Sequence, residues 1–174
     1  MIRVGFKRRK NAQQIYHWIN SIQGIAMHFH ILVGTTSGNT EYLAEEVARQ
    51  LNEEGHTTTL HDQPDITEVA TQNAKWIACI ATHGAGEYAD SIFPFMQTLD
   101  EQNTDLSTVQ YALIGIGDSS YDTFNQAGHD AQNLFTRLGA RKLCEPLMID
   151  MLTEIDPEGV AIAWLDQWSD QRAL

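Results

Sequence analysis

Between residues 35 and 40 the chain reads TTSGNT: four hydroxyls, one amide and one glycine, with no lysine or arginine. An apolar run, FHILVG, leads into this turn, and an amphipathic helical pattern follows it at once. Small hydroxyl and glycine residues ahead of a helix can aim a fan of backbone N–H groups and side-chain O–H groups at an anion. The helix end adds roughly half a positive charge. Such a turn suits one phosphomonoester held by hydrogen bonds rather than by salt bridges. A GxxxxGK[ST] loop needs its lysine on the terminal phosphates of a nucleoside triphosphate, and that lysine is missing here. The dinucleotide fingerprint GxGxxG is missing too. Taken alone, the turn reads as a helix N-cap built on Ser37 or Asn39.

Two more loops have a similar make-up: THGAGEYADS from Thr82 and GDSSYDTFN from Gly117. Neither brings a catalytic triad or a paired acid and base, so no catalytic residue is assigned. His28 and His30 alternate on a strand without a third ligand in view, which makes them paired surface histidines and predicts no metal. Glu87, Asp90, Asp118 and Asp122 lie in or beside the loops as solvated acids or as neighbours of a ligand.

The elements around these loops must bring them together. FHILVG (29–34) reads as a strand and Thr40 to Glu54 as a helix with Leu43, Ala44, Val47, Ala48 and Leu51 on its apolar face. HTTTLH (56–61) is a polar strand for a sheet edge, and a short helix is expected around Asp65–Gln72. KWIACIA (75–81) and YALIGIG (111–117) are continuous apolar runs fit for central parallel strands. Helices are expected near Ile92–Leu99, from the third loop to about Leu138, and from Pro157 onward, where Trp164 and Trp168 share a face. KLCEPLMID (142–150) supplies the last strand, with Pro146 bulging it or holding it at an edge. Strands alternating with helices predict an α/β, doubly wound parallel sheet with helices on both faces. Ligands bind such sheets at the carboxyl ends of the strands. Residues 34–40, 82–87 and 117–125 all fall there.

Composition agrees with one domain. The chain has 174 residues, 43% of them hydrophobic, enough for a real core. Its net charge of −12 is unevenly spread. Residues 1–26 hold five basic residues (Arg3, Lys7, Arg8, Arg9, Lys10) and no acid; residues 27–174 hold six basic residues against 23 acidic ones, about −17. A domain this acidic does not seek nucleic acid. Cys79 and Cys144 form no CxxC pair and fit reduced thiols in a cytoplasmic protein. No apolar stretch is long enough to span a membrane. Residues 1–26 read either as a basic N-terminal extension, with Ile15, Trp18, Ile19 and Ile22 at helical spacing, or as sequence ahead of a true start at Met27.

The segments GTTSGNTE, ATHGAGE and GIGDSSYDTFN resemble, in order and position, the three FMN-binding loops of the flavodoxin family. They are most similar to those of MioC-type short-chain flavodoxins and of the flavodoxin domains of diflavin reductases. The resemblance covers about residues 28–170 and implies a five-stranded sheet of order 2-1-3-4-5. It implies that Thr35, Thr36, Ser37, Gly38, Asn39 and Thr40 hold the FMN phosphate. It sets Ala81, Thr82, His83 and Gly84 along one side of the flavin ring, with Gly86 close by. Ile116, Gly117, Asp118, Ser119, Ser120, Tyr121, Asp122, Thr123, Phe124 and Asn125 then cover the other side, with Tyr121 stacked on the ring. Asp150 matches a position that approaches the flavin in the diflavin relatives. Those relatives often carry an aromatic where this chain has His83, so His83 or Tyr88 fills that role, or the face is more open.

The function implied is electron transfer. Such a carrier takes electrons from a separate basic NAD(P)H-dependent reductase and delivers them to an acceptor enzyme, with biotin synthase as one candidate. The competing reading is a binding or regulatory module that keeps the fold without flavin. A receiver domain needs an aspartate at the end of the third strand, where Ala81 and Thr82 stand. A self-sufficient oxidoreductase would turn over NAD(P)H unaided, which is not expected here.

Overall fold

The computed structural model describes residues 26–36 and 38–168 of the chain. The basic segment before Ala26 and Ser37 of the first loop lie outside the described residues. The strands are β1 (His28–Gly34), β2 (Thr57–His61), β3 (Lys75–His83), β4 (Glu87–Tyr88), β5 (Gln110–Gly117), β6 (Arg141–Lys142) and β7 (Leu147–Asp150). The helices are α1 (Asn39–Glu53), α2 (Phe93–Glu101), α3 (Gln126–Arg137) and α4 (Pro157–Gln167).

The sheet runs β2-β1-β3-β5, with β6 and β7 both beside β5. These pairings are parallel, and only the short β4 is antiparallel, against β3. The expected order 2-1-3-4-5 therefore holds, with β6 and β7 sharing the last place. Apolar side chains on both faces of β3 and β5 demand cover on both sides, and four helices supply it. On one face α2 and α3 bury Phe95, Met96, Leu134 and Phe135 against Trp76 and Tyr111. On the other, α1 and α4 bury Leu43, Val47, Trp164 and Leu165 against Phe29, Val33 and Ile114. The Phe135 ring meets Trp76 and Tyr111 edge-on at 5.5 and 5.2 Å, the geometry aromatic pairs favour. Side chains buried this completely contribute about 1.5–3 kcal/mol each.

Two sequence expectations differ from the structure. The segment around Asp65–Gln72 is a single turn, not a helix. The Ala70 carbonyl accepts from the Trp76 indole at 2.9 Å and the Gln72 side chain reaches the Asp105 carbonyl at 3.0 Å. The Ala70 carbonyl that a continuing helix would use is spent on the neighbouring strand, and the Gln72 side chain anchors the segment to the loop at Asp105. The expected last strand is also divided. Tyr111 pairs with Lys142 and Ile114 with Leu147, so residues 143–146 stand opposite only Ala112 and Leu113. Pro146 lacks the N–H that an unbroken ladder would need there. The break lets β7 reach the end of β5 in register with Gly117, where the third loop begins.

Candidate functional site

The first loop leaves β1 at Gly34. Thr35 donates its N–H to Ser91 Oγ at 3.0 Å, and the Ser91 hydroxyl donates to the Val33 carbonyl at 3.3 Å. One serine from the segment ahead of α2 thus fixes where the loop starts. Gly38 is the N-cap of α1 with φ 83°, a left-handed conformation that costs side-chain-bearing residues about 1–2 kcal/mol. Its N–H donates to Thr35 Oγ1 at 3.1 Å, and its carbonyl accepts the first helical bond, from Tyr42, at 3.1 Å. Among the described residues no side chain caps α1. Asn39 is already helical, so it is not the cap that the turn alone suggests. The amides of the first turn find no acceptor among the described residues, the condition in which a helix end receives an anion.

The second loop is a tight hairpin. β3 continues past Ala81 to His83 and returns as β4, with Thr82 opposite Tyr88 and His83 opposite Glu87. Gly86 donates to the His83 carbonyl at 3.0 Å, and Ala85 donates its N–H to Glu87 Oε2 at 2.6 Å. Thr82 Oγ1 accepts from the Ala127 N–H at 3.3 Å, which ties the hairpin to the start of α3. Tyr88 does not face the same way. It enters a separate groove between α2 and α3 with Phe93, Met96, Asp100 and Asp130. Burial, reinforced by Asp130 and Asp100, pushes its phenol well above the usual range. Of the two alternatives for the second flavin face, only His83 lines the cleft.

The third loop is a chain of turns. Tyr121 donates to the Asp118 carbonyl at 3.2 Å and Phe124 to the Tyr121 carbonyl at 3.1 Å. The Asp118 carboxylate accepts the Ser120 N–H at 2.8 Å, so it braces its own loop. The loop closes at Asn125, fully buried with φ 55°, whose Nδ2 donates to the Ile149 carbonyl at 3.3 Å. Gly117 has to be glycine for this closure. A Cβ there would stand 2.7 Å from the Asn125 nitrogen.

Together the loops enclose a cleft of about 380 Å³ lined by Thr36, Asn39, Thr40, Ala81, Thr82, His83, Gly84, Ile116, Gly117, Asp118, Tyr121, Thr123, Phe124 and Met151. That volume lies within the range of sites for small cofactors. Thr35, Gly38, Gly86, Ser119, Ser120, Asp122, Asn125 and Asp150 are not among the lining residues. No lysine or arginine is among the lining residues. Tyr121 is 65% exposed, a broad apolar ring held at the rim. The residues fit a flat ring bearing one phosphate, with uncharged donors at the α1 end and apolar and aromatic faces beyond. Met151 and Ser91 are the additions that sequence reasoning missed. A methionine directly after a strand ending LMID was the available signal for the first; nothing local marked the second. Among the described residues no three His, Cys, Asp or Glu side chains gather to hold a metal ion. None of the described helices is long and apolar enough to cross a membrane.

The flavodoxin family model matches residues 31–164. The chain is 39% identical over 139 residues to protein MioC of Escherichia coli (strain K12), an alignment covering 79% of this chain and 93% of that one. It is 31% identical over 139 residues to flavodoxin YqcA of the same strain, covering 79% of this chain and 93% of that protein. A solved cysteine-to-alanine mutant of flavodoxin from Pseudomonas aeruginosa superimposes with a TM-score of 0.77 at 27% identity, over 83% of this chain and 98% of that one. The three loops, the strand order and these similarities agree: the chain belongs to the flavodoxin family of FMN-binding electron-transfer proteins.

Proposed function

We propose that this cleft holds FMN with its phosphate at the start of α1 and its ring between the second and third loops. FMN, when bound, supplies the redox chemistry, accepting and releasing electrons singly or in pairs. Everything else is the work of the chain. The N–H groups of the first α1 turn, within the segment Thr35, Thr36, Ser37, Gly38, Asn39 and Thr40, hold the phosphate together with the hydroxyls around them. Ala81, Thr82, His83 and Gly84 flank one side of the ring. Tyr121, supported by Thr123 and Phe124, covers the other and keeps water from it.

The observation that carries this reading is the N-terminus of α1, which no side chain caps among the described residues, opening without a lysine or arginine onto a cleft that two glycine-bearing loops share. The donor we propose is a separate basic NAD(P)H-dependent reductase, because residues 27–174 carry about −17 and no dinucleotide fingerprint. The acceptor is a separate electron-requiring enzyme, such as biotin synthase. Neither Cys79 nor Cys144 forms a disulfide, which suits the reducing cytoplasm. Two titrations test the reading. The apoprotein should bind FMN with a flavin absorbance shift, and riboflavin at least about tenfold more weakly, since it lacks the phosphate. Equal affinity for the two would remove the phosphate from the α1 terminus.

A further inference from the structure

Asp150 ends β7 and does not line the cleft, although the diflavin resemblance places it near the ring. Its carboxylate is engaged elsewhere. Oδ1 accepts the backbone N–H of Ser119 at 3.0 Å and that of Leu152 at 3.0 Å, and Oδ2 accepts the Thr153 hydroxyl at 3.3 Å. Beside it, Met151 donates its N–H to the Gly117 carbonyl at 2.8 Å. One oxygen therefore joins two loops that both reach the cleft, the one with Tyr121 and the one with Met151. The far end of the third loop is tied to the same strand through Asn125 and the Ile149 carbonyl. Between these ties, the side chains of Tyr121, Thr123 and Phe124 make no hydrogen bond to the described residues, so their placement depends on the backbone that the ties hold.

We infer that Asp150 is a positioning residue of the cleft: its carboxylate, through Ser119 and Leu152, sets the third loop in the conformation that receives the ring. This rests on the reading of the cleft as the FMN site. A loop already ordered loses less freedom on binding, so a clamp outside the cleft raises affinity without touching the ligand. The bonds, those from Ser119 first, hold the Asp150 carboxyl below its usual range, so the clamp stays ionised at neutral pH. The clamp serves the ring loop and not the phosphate. Its loss therefore weakens binding of FMN and riboflavin by the same factor, unlike any change at the α1 terminus.

The test compares wild type, Asp150→Ala and Asp150→Asn. In the apoproteins, amide hydrogen exchange is followed over residues 118–124, and each protein is titrated with FMN and with riboflavin. Asp150→Ala should speed exchange in that segment about tenfold or more and weaken both ligands by about the same tenfold. Asp150→Asn keeps one carbonyl oxygen for the two N–H groups and should stay within about twofold of wild type in every measurement. Unchanged exchange and affinities in Asp150→Ala would overturn the inference. So would Asp150→Asn matching Asp150→Ala in affinity while exchange stays at the wild-type rate, because the charge would then act on the ligand directly. If wild type binds neither FMN nor riboflavin, the proposed function falls, and the exchange comparison still decides whether Asp150 orders the loop.

Discussion

Tyr121 and Gly38 act by different physics and can be separated by mutation. In the proposed site the exposed Tyr121 ring would cover a flat ligand by stacking, which for bases on aromatic side chains is worth roughly 1–3 kcal/mol. Tyr121→Ala should therefore weaken FMN about five- to a hundredfold in a fluorescence titration, and Tyr121→Phe should leave it nearly unchanged. Gly38 contributes its backbone. A β-branched residue at φ 83° strains the turn although no atom would lie within 4 Å of a Cβ. Gly38→Val should weaken FMN more than about tenfold, leave riboflavin within about twofold and cost about 1–2 kcal/mol in thermal unfolding. A loss shared equally by both ligands would mean that the turn holds more than phosphate. The hydroxyl and glycine composition of all three loops was legible because the chemistry depends on local types and spacing. Ser91 was not, since its role is a hydrogen bond to a residue 56 positions away.

Among the elements, the β1–β2 pair carries a pH-sensitive contact. His30 Nδ1 and His61 Nε2 lie 3.0 Å apart, one donor and one acceptor, which requires at least one neutral ring. Burial first, then His28 and His61, lowers His30 to about 4. His61 is lowered by burial too, and Glu68 and Asp62 oppose that only in part. Both rings bind protons more readily in the unfolded chain, so their contribution is complete above the ordinary histidine value of 6.5 and is lost as pH falls toward about 4. Between about pH 7.5 and 5.5, safely above the pI of 4.8, Tm should fall with acidification, and His30→Asn should flatten that slope. An equal slope in both proteins would show that the pair does not titrate with folding. Sequence reading found His28 and His30 but not His61, because strand register across a parallel crossover leaves no mark on neighbouring residues. The central strands were readable from their unbroken apolar runs. The turn at Asp65–Gln72 was misread because its helix-like polarity conceals bonds made to Trp76 and Asp105.

For the whole molecule, charge is the property that partners meet first. A field set by about −17 over residues 27–174 would attract the basic reductase proposed above across several ångströms of solvent and is screened as salt rises. Electron transfer from such a reductase, followed by stopped flow, should slow severalfold between low and physiological ionic strength; a salt-independent rate would exclude charge-guided encounter. The doubly wound parallel sheet was legible from alternation and its strand order from the resemblance of the three loops, whereas the division of the last strand depended on what Pro146 does within a ladder. That division has a consequence for the company the protein keeps. A continuous outer strand presents an unpaired row of donors and acceptors on which a second molecule can stack. Here the strand breaks between Leu143, whose N–H still donates to the Tyr111 carbonyl at 2.7 Å, and Leu147, and Pro146 offers no N–H. A neighbour extending the sheet from that side would lose register after two residues. The interruption that brings β7 to the third loop also makes that edge a poor template for edge-to-edge polymerisation.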